Sequence, residues 1–528
     1  MTAMATSYSL ADIVQRNALS STGGERVALT NEGASFTYRQ LNDRSLRLAN
    51  ALLGLGVRKG DSVAVLMGNS HEWPEALFAI SSIGAVCVPV NVLLNAREVE
   101  HVVRDSGAVA VIADKVAQRA LGDLSTLPDR LIRVGDFEAP AGGTWHGYED
   151  LLARAAARVP DYRPDSSDKV MMYYTSGTTG LPKGAVHSQA GVLWNTYHQI
   201  GDVGLSRDNV YLLIPSLSWA AGFHDIMLAL MWLGGRIAMV PTGGLTIDRV
   251  VTAIEKEGVT HVLLVPTLLK MLVATPGAFE RLRRTRLKRI FTGGEFVPSS
   301  VIETVNSELP GCRVIPIYGM SEFPLMMTIL DADDSLRHPE RTGKASSIVT
   351  LAVCGADGVI VDRGEGEVVI RSPANMLGYH NRPDATAEAQ AGGWFRTGDT
   401  GVLDDQGFLT LTGRAKDMII SGGMNIYARE IEDVVHRVAG VRDVAVVGVP
   451  DPKWGEIPVA IVVVEDGARP DATIQSACEQ QLSSYKRPRI TLLREEPLPR
   501  TPTGKVLKRL LRPWAEEQIR ARQDSVKS

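Results

Sequence analysis

Tyr173-Tyr174-Thr175-Ser176-Gly177-Thr178-Thr179-Gly180-Leu181-Pro182-Lys183-Gly184 gathers four hydroxyl side chains, three glycines and one lysine into the ten residues from Thr175. Glycines let a backbone approach an anion closely. Hydroxyls and exposed N–H groups donate hydrogen bonds, and a lysine adds a mobile positive charge. A polyphosphate is the ligand that uses all three. The spacing is not G-x-x-x-x-G-K-[ST], and no G-x-G-x-x-G opens a helix here, so this is neither a Walker loop nor a dinucleotide fingerprint. A flexible Ser/Thr/Gly linker is the bland alternative, but a linker has no reason to be followed by Pro182-Lys183-Gly184.

Outward from the loop, the chain alternates between helical and strand-like texture. Leu41, Leu48, Ala49 and Leu52 recur at helical spacing within residues 40–53, and residues 62–67 read as a buried strand. A helix-like segment at 73–83 follows, then strand-like runs at 86–90 and 109–113 around helical 96–103. Beyond the loop, 262–265, 289–292 and 314–316 are strand-like, each followed by a Gly- or Pro-containing turn. Such alternation predicts parallel α/β layers, in which ligands bind outside the carboxyl ends of the strands. After Gly413-Arg414 the texture changes. A helix with Ile431, Val434, Val435 and Val438 on one face precedes strand-like runs at 444–449 and 459–464. The expected class is α/β: a large N-terminal domain of layered α/β subdomains over residues 1–415, and a small mobile α+β C-terminal domain over 416–528.

Composition bounds the reading. A chain of 528 residues exceeds the ~250–300 at which one core stops growing. It is 45% hydrophobic and 22% charged, a globular balance without the charge excess of disorder. The 56 basic and 60 acidic residues are spread along the chain, so nucleic acid is disfavoured as a partner. Cys87, Cys312, Cys354 and Cys478 are too dispersed for a zinc cluster or a disulfide framework, which fits a reducing compartment. The first twenty residues lack a secretory pattern. The most apolar stretch, 226–240, is too short to span a bilayer and is broken by Gly234-Gly235-Arg236. A cytoplasmic location and no membrane span are expected.

Five further motifs follow the loop in order: Gly293-Gly294-Glu295, Tyr318-Gly319-Met320-Ser321-Glu322, Trp394-Phe395-Arg396-Thr397-Gly398-Asp399, Gly413-Arg414-Ala415-Lys416-Asp417 and Arg500-Thr501-Pro502-Thr503-Gly504-Lys505. Together with the loop they resemble the adenylate-forming superfamily of acyl-CoA synthetases, peptide-synthetase adenylation domains and beetle luciferases. The likeness runs from about Phe36 to Arg512.

The resemblance implies ATP held by Thr175, Ser176, Gly177, Thr178, Thr179, Gly180, Lys183, Gly294, Glu295, Tyr318, Gly319, Ser321, Asp399, Arg414 and Lys505. Catalysis would rest on Lys183, Glu322 and Lys505, with Mg²⁺ on Glu322. These roles suit the residues. A carboxylate in the Gly398-Asp399 turn accepts from both ribose hydroxyls at once, and a hard carboxylate oxygen at Glu322 suits Mg²⁺. The flat ring of Tyr318 offers adenine a stacking surface. Lysine charges at 183 and 505 answer the charge that accumulates on phosphorus. Lys416 matches the hinge about which similar enzymes turn the small domain, and Gly422-Gly423 would approach the thiol arm of coenzyme A. A simple glycine turn is the alternative for that pair.

For the acid, Trp219, Phe223, Gly293, Met320 and Phe323 are candidate pocket walls, although such residues also serve as plain core. Many similar acyl-CoA synthetases carry a histidine three residues after the proline that follows residues 210–214. Here that position is Ser218, and the nearest histidine is His224. The leading expectation is an ATP-dependent carboxylate–CoA ligase acting on a small-molecule acid, with ATP, Mg²⁺ and coenzyme A. Alternatives are delivery of the activated acid to a carrier protein or amine, activation of another oxyanion such as nitrite, and a nucleotide-responsive binding protein on this scaffold.

Overall fold

Ser62–Leu66 and Val86–Pro89 are buried at every position and pair in parallel, as valine-rich runs do when both faces of a sheet are covered. The computed structural model that shows this describes residues 8–122, 127–138, 143–162, 164–175, 182–294, 297–414, 417–421, 424–465, 467–468, 470–500 and 506–527. The helix Tyr38–Gly54 starts where Thr37 and Gln40 form a reciprocal capping box, and Ala96–Asp105 starts on the same device made by Asn95 and Glu98.

Among the described residues the strands form sheets of eight, fourteen and five. The eight-stranded sheet carries Ser62–Leu66 near its middle. At one edge lie Lys169–Thr175, Lys183–Ser188 and the short Gly378–Tyr379. The fourteen-stranded sheet has a parallel part built from Val27–Asn31, Arg236–Met239, Val210–Leu213, His261–Leu263, Arg289–Gly293 and Arg313–Met320. Helices including Glu72–Ser82 and Gln189–Val203 fill the space between the two sheets. Tyr38, Trp73, Phe78, Tyr211, Phe223 and Phe291 are packed into that core.

The runs from which parallel layers are expected do pair in parallel, and the sheet changes character beyond them. From Arg313–Met320 onward the large sheet turns antiparallel, through Phe323–Ile329, Gly343–Ala345, Phe408–Arg414 and Phe395–Leu403. The strand read at 314–316 also runs on to Met320, so Tyr318-Gly319-Met320 is strand, and only Ser321-Glu322 forms the turn. Alternating apolar and polar residues along antiparallel strands carry a weaker signal than the fully apolar parallel runs.

Past Arg414 the chain enters the five-stranded sheet of Ile419–Ser421, Met424–Ile426, Val441–Asp451, Gly455–Val464 and Ile490–Arg494. The amphipathic helix Ala428–His436 lays Ile431 and Val435 on Val446 and Val462, in a core of its own. All four cysteines are buried and unpaired. No helix among the described residues is long and apolar enough to cross a membrane.

Candidate active site

The glycine- and hydroxyl-rich loop closes a hairpin. Lys169–Thr175 and Lys183–Ser188 are antiparallel, with Thr175 opposite Lys183. Its two ends are anchored to the helix Ala96–Asp105. Tyr174 donates to Asp105 Oδ2 at 2.8 Å, and Arg382 donates to the other oxygen at 2.9 Å. His101 Nε2 donates to the Pro182 carbonyl at 2.9 Å. A loop tied at both ends loses less freedom when it wraps an anion. Lys183 holds its ammonium 5.4 Å from the centroid of the Tyr379 ring. Ser176, Gly177, Thr178, Thr179 and Gly180, the centre of the expected phosphate cradle, lie outside the described residues, as do Glu295, Lys416, Gly422, Gly423 and Lys505.

Facing the hairpin is the Ser321-Glu322 turn. Glu322 is 8% exposed, and its Oε1 accepts from the Tyr379 phenol at 2.9 Å. Burial and the Glu322 charge both push that phenol's pKa up, so it stays a donor. The Ser321 carbonyl accepts from His187 Nε2 at 2.8 Å, and the Glu322 carbonyl accepts from the Met376 N–H at 2.9 Å. The sequence reading missed both Tyr379 and His187. Tyr379 reaches Glu322 only because Gly378–Tyr379 pairs with Ala185 and Val186, a contact that no spacing in the chain announces. The buried His187 was discoverable as a polar residue inside an apolar strand.

Asp399 was expected in a turn; it sits in the strand Phe395–Leu403 instead. The turn-like Gly398 arises from a bulge, where the pairing with Gly364–Arg371 shifts register and Gly398 takes φ 71°. Asp399 pairs across the sheet with Arg414, whose Nε lies 3.2 Å from Oδ1, and Tyr318 donates to Oδ2 at 2.7 Å. Its N–H donates to Thr397 Oγ1 at 3.1 Å, and that hydroxyl donates to the Val368 carbonyl. The carboxylate is therefore fixed in direction as well as place. The Tyr318 ring is 8% exposed. From the C-terminal segment, Arg429 feels the Asp399 charge, and desolvation brings its guanidinium down to about 10.

Tyr318, near the C-terminal end of Arg313–Met320, holds Asp399, and Glu322 lies in the turn directly after that strand, so the two carboxylates are both tied to the same strand end. Gly294 has φ 85°. The acid-pocket candidates are distributed differently. Phe223 is fully buried and edge-to-face with Trp73 at 5.2 Å, inside the core between the sheets. Met320 and Phe323 pack in a separate cluster with Tyr318 and Met376. A Cβ at Gly293 would stand 2.3 Å from the Ile317 carbonyl oxygen, so close strand packing alone demands glycine there. Trp219 is half-buried, with its indole N–H unpartnered among the described residues. Ser218 bonds to the Ser216 hydroxyl at 2.7 Å.

Two buried carboxylates, Asp399 held by Tyr318 and Arg414 and Glu322 held by Tyr379, thus accompany a lysine on the hairpin at the edge of the eight-stranded sheet. The chain matches the AMP-binding enzyme family over residues 15–380 and the AMP-binding enzyme C-terminal domain over residues 430–505. It is 38% identical over 482 residues to the long-chain-fatty-acid–CoA ligase FadD13 of Mycobacterium tuberculosis, covering 90% of this chain and 92% of that one. It is 35% identical over 488 residues to feruloyl-CoA synthase of an Amycolatopsis species, covering 91% of this chain and 94% of the relative. ATP-bound MatB from Rhodopseudomonas palustris superposes with a TM-score of 0.84 at 25% identity, covering 96% of this chain and 99% of that one. The protein belongs to the AMP-binding enzyme family. Its activity is that of an AMP-forming acid–CoA ligase that uses ATP and coenzyme A.

Proposed function

We propose that the two carboxylates set the frame of the reaction. Asp399, with Arg414 behind it, receives the ribose, and Tyr318 offers its ring to adenine. The hairpin loop 175–184 and Lys183 receive the phosphates, assisted by Gly294, Glu295, Gly319 and Ser321. The observation that carries this reading is the hydrogen bond by which Tyr318 ties Asp399 to the strand end that leads into the Ser321-Glu322 turn. Among the described residues no group of three or more His, Cys, Asp or Glu side chains could hold a metal by itself. A single carboxylate beside a phosphate loop fits Mg²⁺, which keeps most of its waters and is usually held by one or two carboxylates plus substrate phosphates. Glu322 would hold it, and the ion would supply charge neutralisation on the phosphate oxygens.

In the first step an acid oxygen attacks the α-phosphorus, a P–O bond forms, and the bond to pyrophosphate breaks. Lys183 stabilises the departing pyrophosphate, and Lys505 answers the charge on the α-phosphate. In the second step the coenzyme A thiol loses its proton, sulfur bonds to the acyl carbon, and AMP leaves. One rigid pocket scarcely serves both steps. The domain of residues 416–528 therefore turns about Lys416, withdrawing Lys505 and bringing Gly422-Gly423 to the thiol arm.

The test is a pyrophosphate-release screen over aryl, short aliphatic, long aliphatic and inorganic acids, with and without coenzyme A. Acid-dependent release, and thioester formed only with coenzyme A, is the expected result. ATP binding without acid-dependent release overturns the reading. Lys505→Ala should slow adenylation far more than thioester formation from a supplied acyl adenylate; equal losses in both would remove its assigned role.

A further inference from the structure

Behind the Ser321 hairpin lies a buried polar cluster that none of the roles above employs. Tyr173, His187 and His224 form an aromatic trio with ring centroids 5.5 to 6.4 Å apart. Because His187 donates from Nε2 to the Ser321 carbonyl, its Nδ1 is a bare acceptor, and that atom has no partner among the described residues. His224 is 1% exposed, and neither of its ring nitrogens meets a partner among the described residues. Asp225, beside it, is equally buried; its Oδ1 and the Tyr211 phenol have no partner among the described residues, and that phenol feels the Asp225 charge. Burial favours the neutral form of each group, bringing His187 down to about 4 and pushing the Asp225 carboxyl well above the usual carboxylate range.

The backbone that presents His224 and Asp225 is held against its own preference. Ile226 has φ 67°, a region that a β-branched residue rarely enters. Two side chains of the Gln189–Val203 helix fix this turn. Asn195 and Gln199 both donate to the His224 carbonyl, and Gln199 Oε1 accepts the Ile226 N–H at 2.8 Å. Their hydrogen bonds satisfy the main chain and leave the imidazole and Asp225 Oδ1 without partners among the described residues. Native folds leave few buried polar atoms unpaired, and strain held by this many contacts collects at functional sites. The Ala220–Phe223 helix, which leads into His224, also packs on Phe323–Ile329, the strand that leaves the Ser321-Glu322 turn.

We propose that His224 and Asp225 form a polar subsite for the tail of the acid, so that the acid activated here carries an uncharged hydrogen-bonding group, such as a hydroxyl, carbonyl or amide, away from its carboxylate. The inference rests on the acid–CoA ligase reading and adds a substrate class to it. An imidazole offers one donor and one acceptor, and a protonated carboxyl offers the same, which matches such a group and leaves a plain alkyl tail facing unsatisfied atoms.

The test is ATP–pyrophosphate exchange with size-matched acid pairs, aryl and aliphatic, in which one member ends in a hydrocarbon group and the other carries a hydroxyl or carbonyl there. Wild type should favour the polar member by roughly tenfold or more in kcat/KM for at least one pair. His224→Leu should erase that preference while leaving the KM for ATP and exchange with the hydrocarbon member within about twofold. His224→Gln, which keeps a donor and an acceptor, should preserve part of the preference, and it carries the test if the leucine variant does not fold. A wild-type preference for the hydrocarbon member in every pair, or a ratio unmoved by either variant, means that the cluster holds bound water only and overturns the proposal while leaving the ligase reading intact. Exchange with no acid at all would instead strike the ligase reading.

Discussion

Tyr379→Phe isolates one contact at the centre of the proposed site. The substitution removes the phenol that donates to Glu322 Oε1 at 2.9 Å and leaves the ring under the Lys183 ammonium. A hydrogen bond to a charged group contributes roughly 1.5–3 kcal/mol, or about 12- to 160-fold in an equilibrium or rate. Tyr379 is half-buried, so water replaces part of the lost bond, and the lower end of that range applies. The expected loss is about tenfold in kcat/KM for adenylation. Because Glu322 is assigned to Mg²⁺, the loss should appear as a higher Mg²⁺ requirement, with the saturated rate partly recovered. The assay is ATP–pyrophosphate exchange at a series of Mg²⁺ concentrations, with thioester formation from a supplied acyl adenylate as the control. An unchanged Mg²⁺ profile, or an equal loss in the thioester step, would refute the link between Tyr379, Glu322 and the metal.

Asp399→Asn keeps the shape of its site but removes the charge facing Arg414, so the KM for ATP should rise at least about tenfold while the melting temperature changes little. Phe223→Ala should cost about 3–5 kcal/mol in urea unfolding, because the ring is packed against Trp73. A higher acid KM with unchanged stability would instead make it a pocket wall. Glu75 accepts from Arg44 and Tyr148, yet its burial raises its carboxyl to about 7. The folded protein therefore holds a proton there that the unfolded chain releases near pH 4.5. Stability from this group is full below that value and falls as pH rises toward about 7. Glu75→Gln should flatten the change in urea midpoint between pH 5 and 7.5.

The family was legible in the chain because its motifs are dense local signatures. A run such as residues 175–184 packs glycine, hydroxyl and lysine together in a distinctive order, and fully apolar strands such as Ser62–Leu66 declare themselves by composition. What stayed hidden depends on contacts between distant segments. Tyr379 is an ordinary tyrosine until a two-residue strand places it against Glu322. The setting of Asp399 came from a bulge opposite Val368, and a bulge reads as a turn in one dimension. Phe223 and Trp219 look alike in sequence, but one is sealed against Trp73 while the other keeps an unpartnered indole N–H. His224 drew notice only as a displaced histidine; the strain at Ile226 and the two amides that clamp it exist only in three dimensions.

Residues 376–380 also act as a stitch between the two large sheets. Met376 N–H donates to the Glu322 carbonyl, Leu377 N–H to that of Val186, and His380 N–H to that of Gly184. The hairpin that carries Lys183 and the hairpin that carries Glu322 are thus sewn to one strip of backbone. Under the proposed two-step reaction, a passage for pyrophosphate or thiol would then have to open on a side that this seam does not cross.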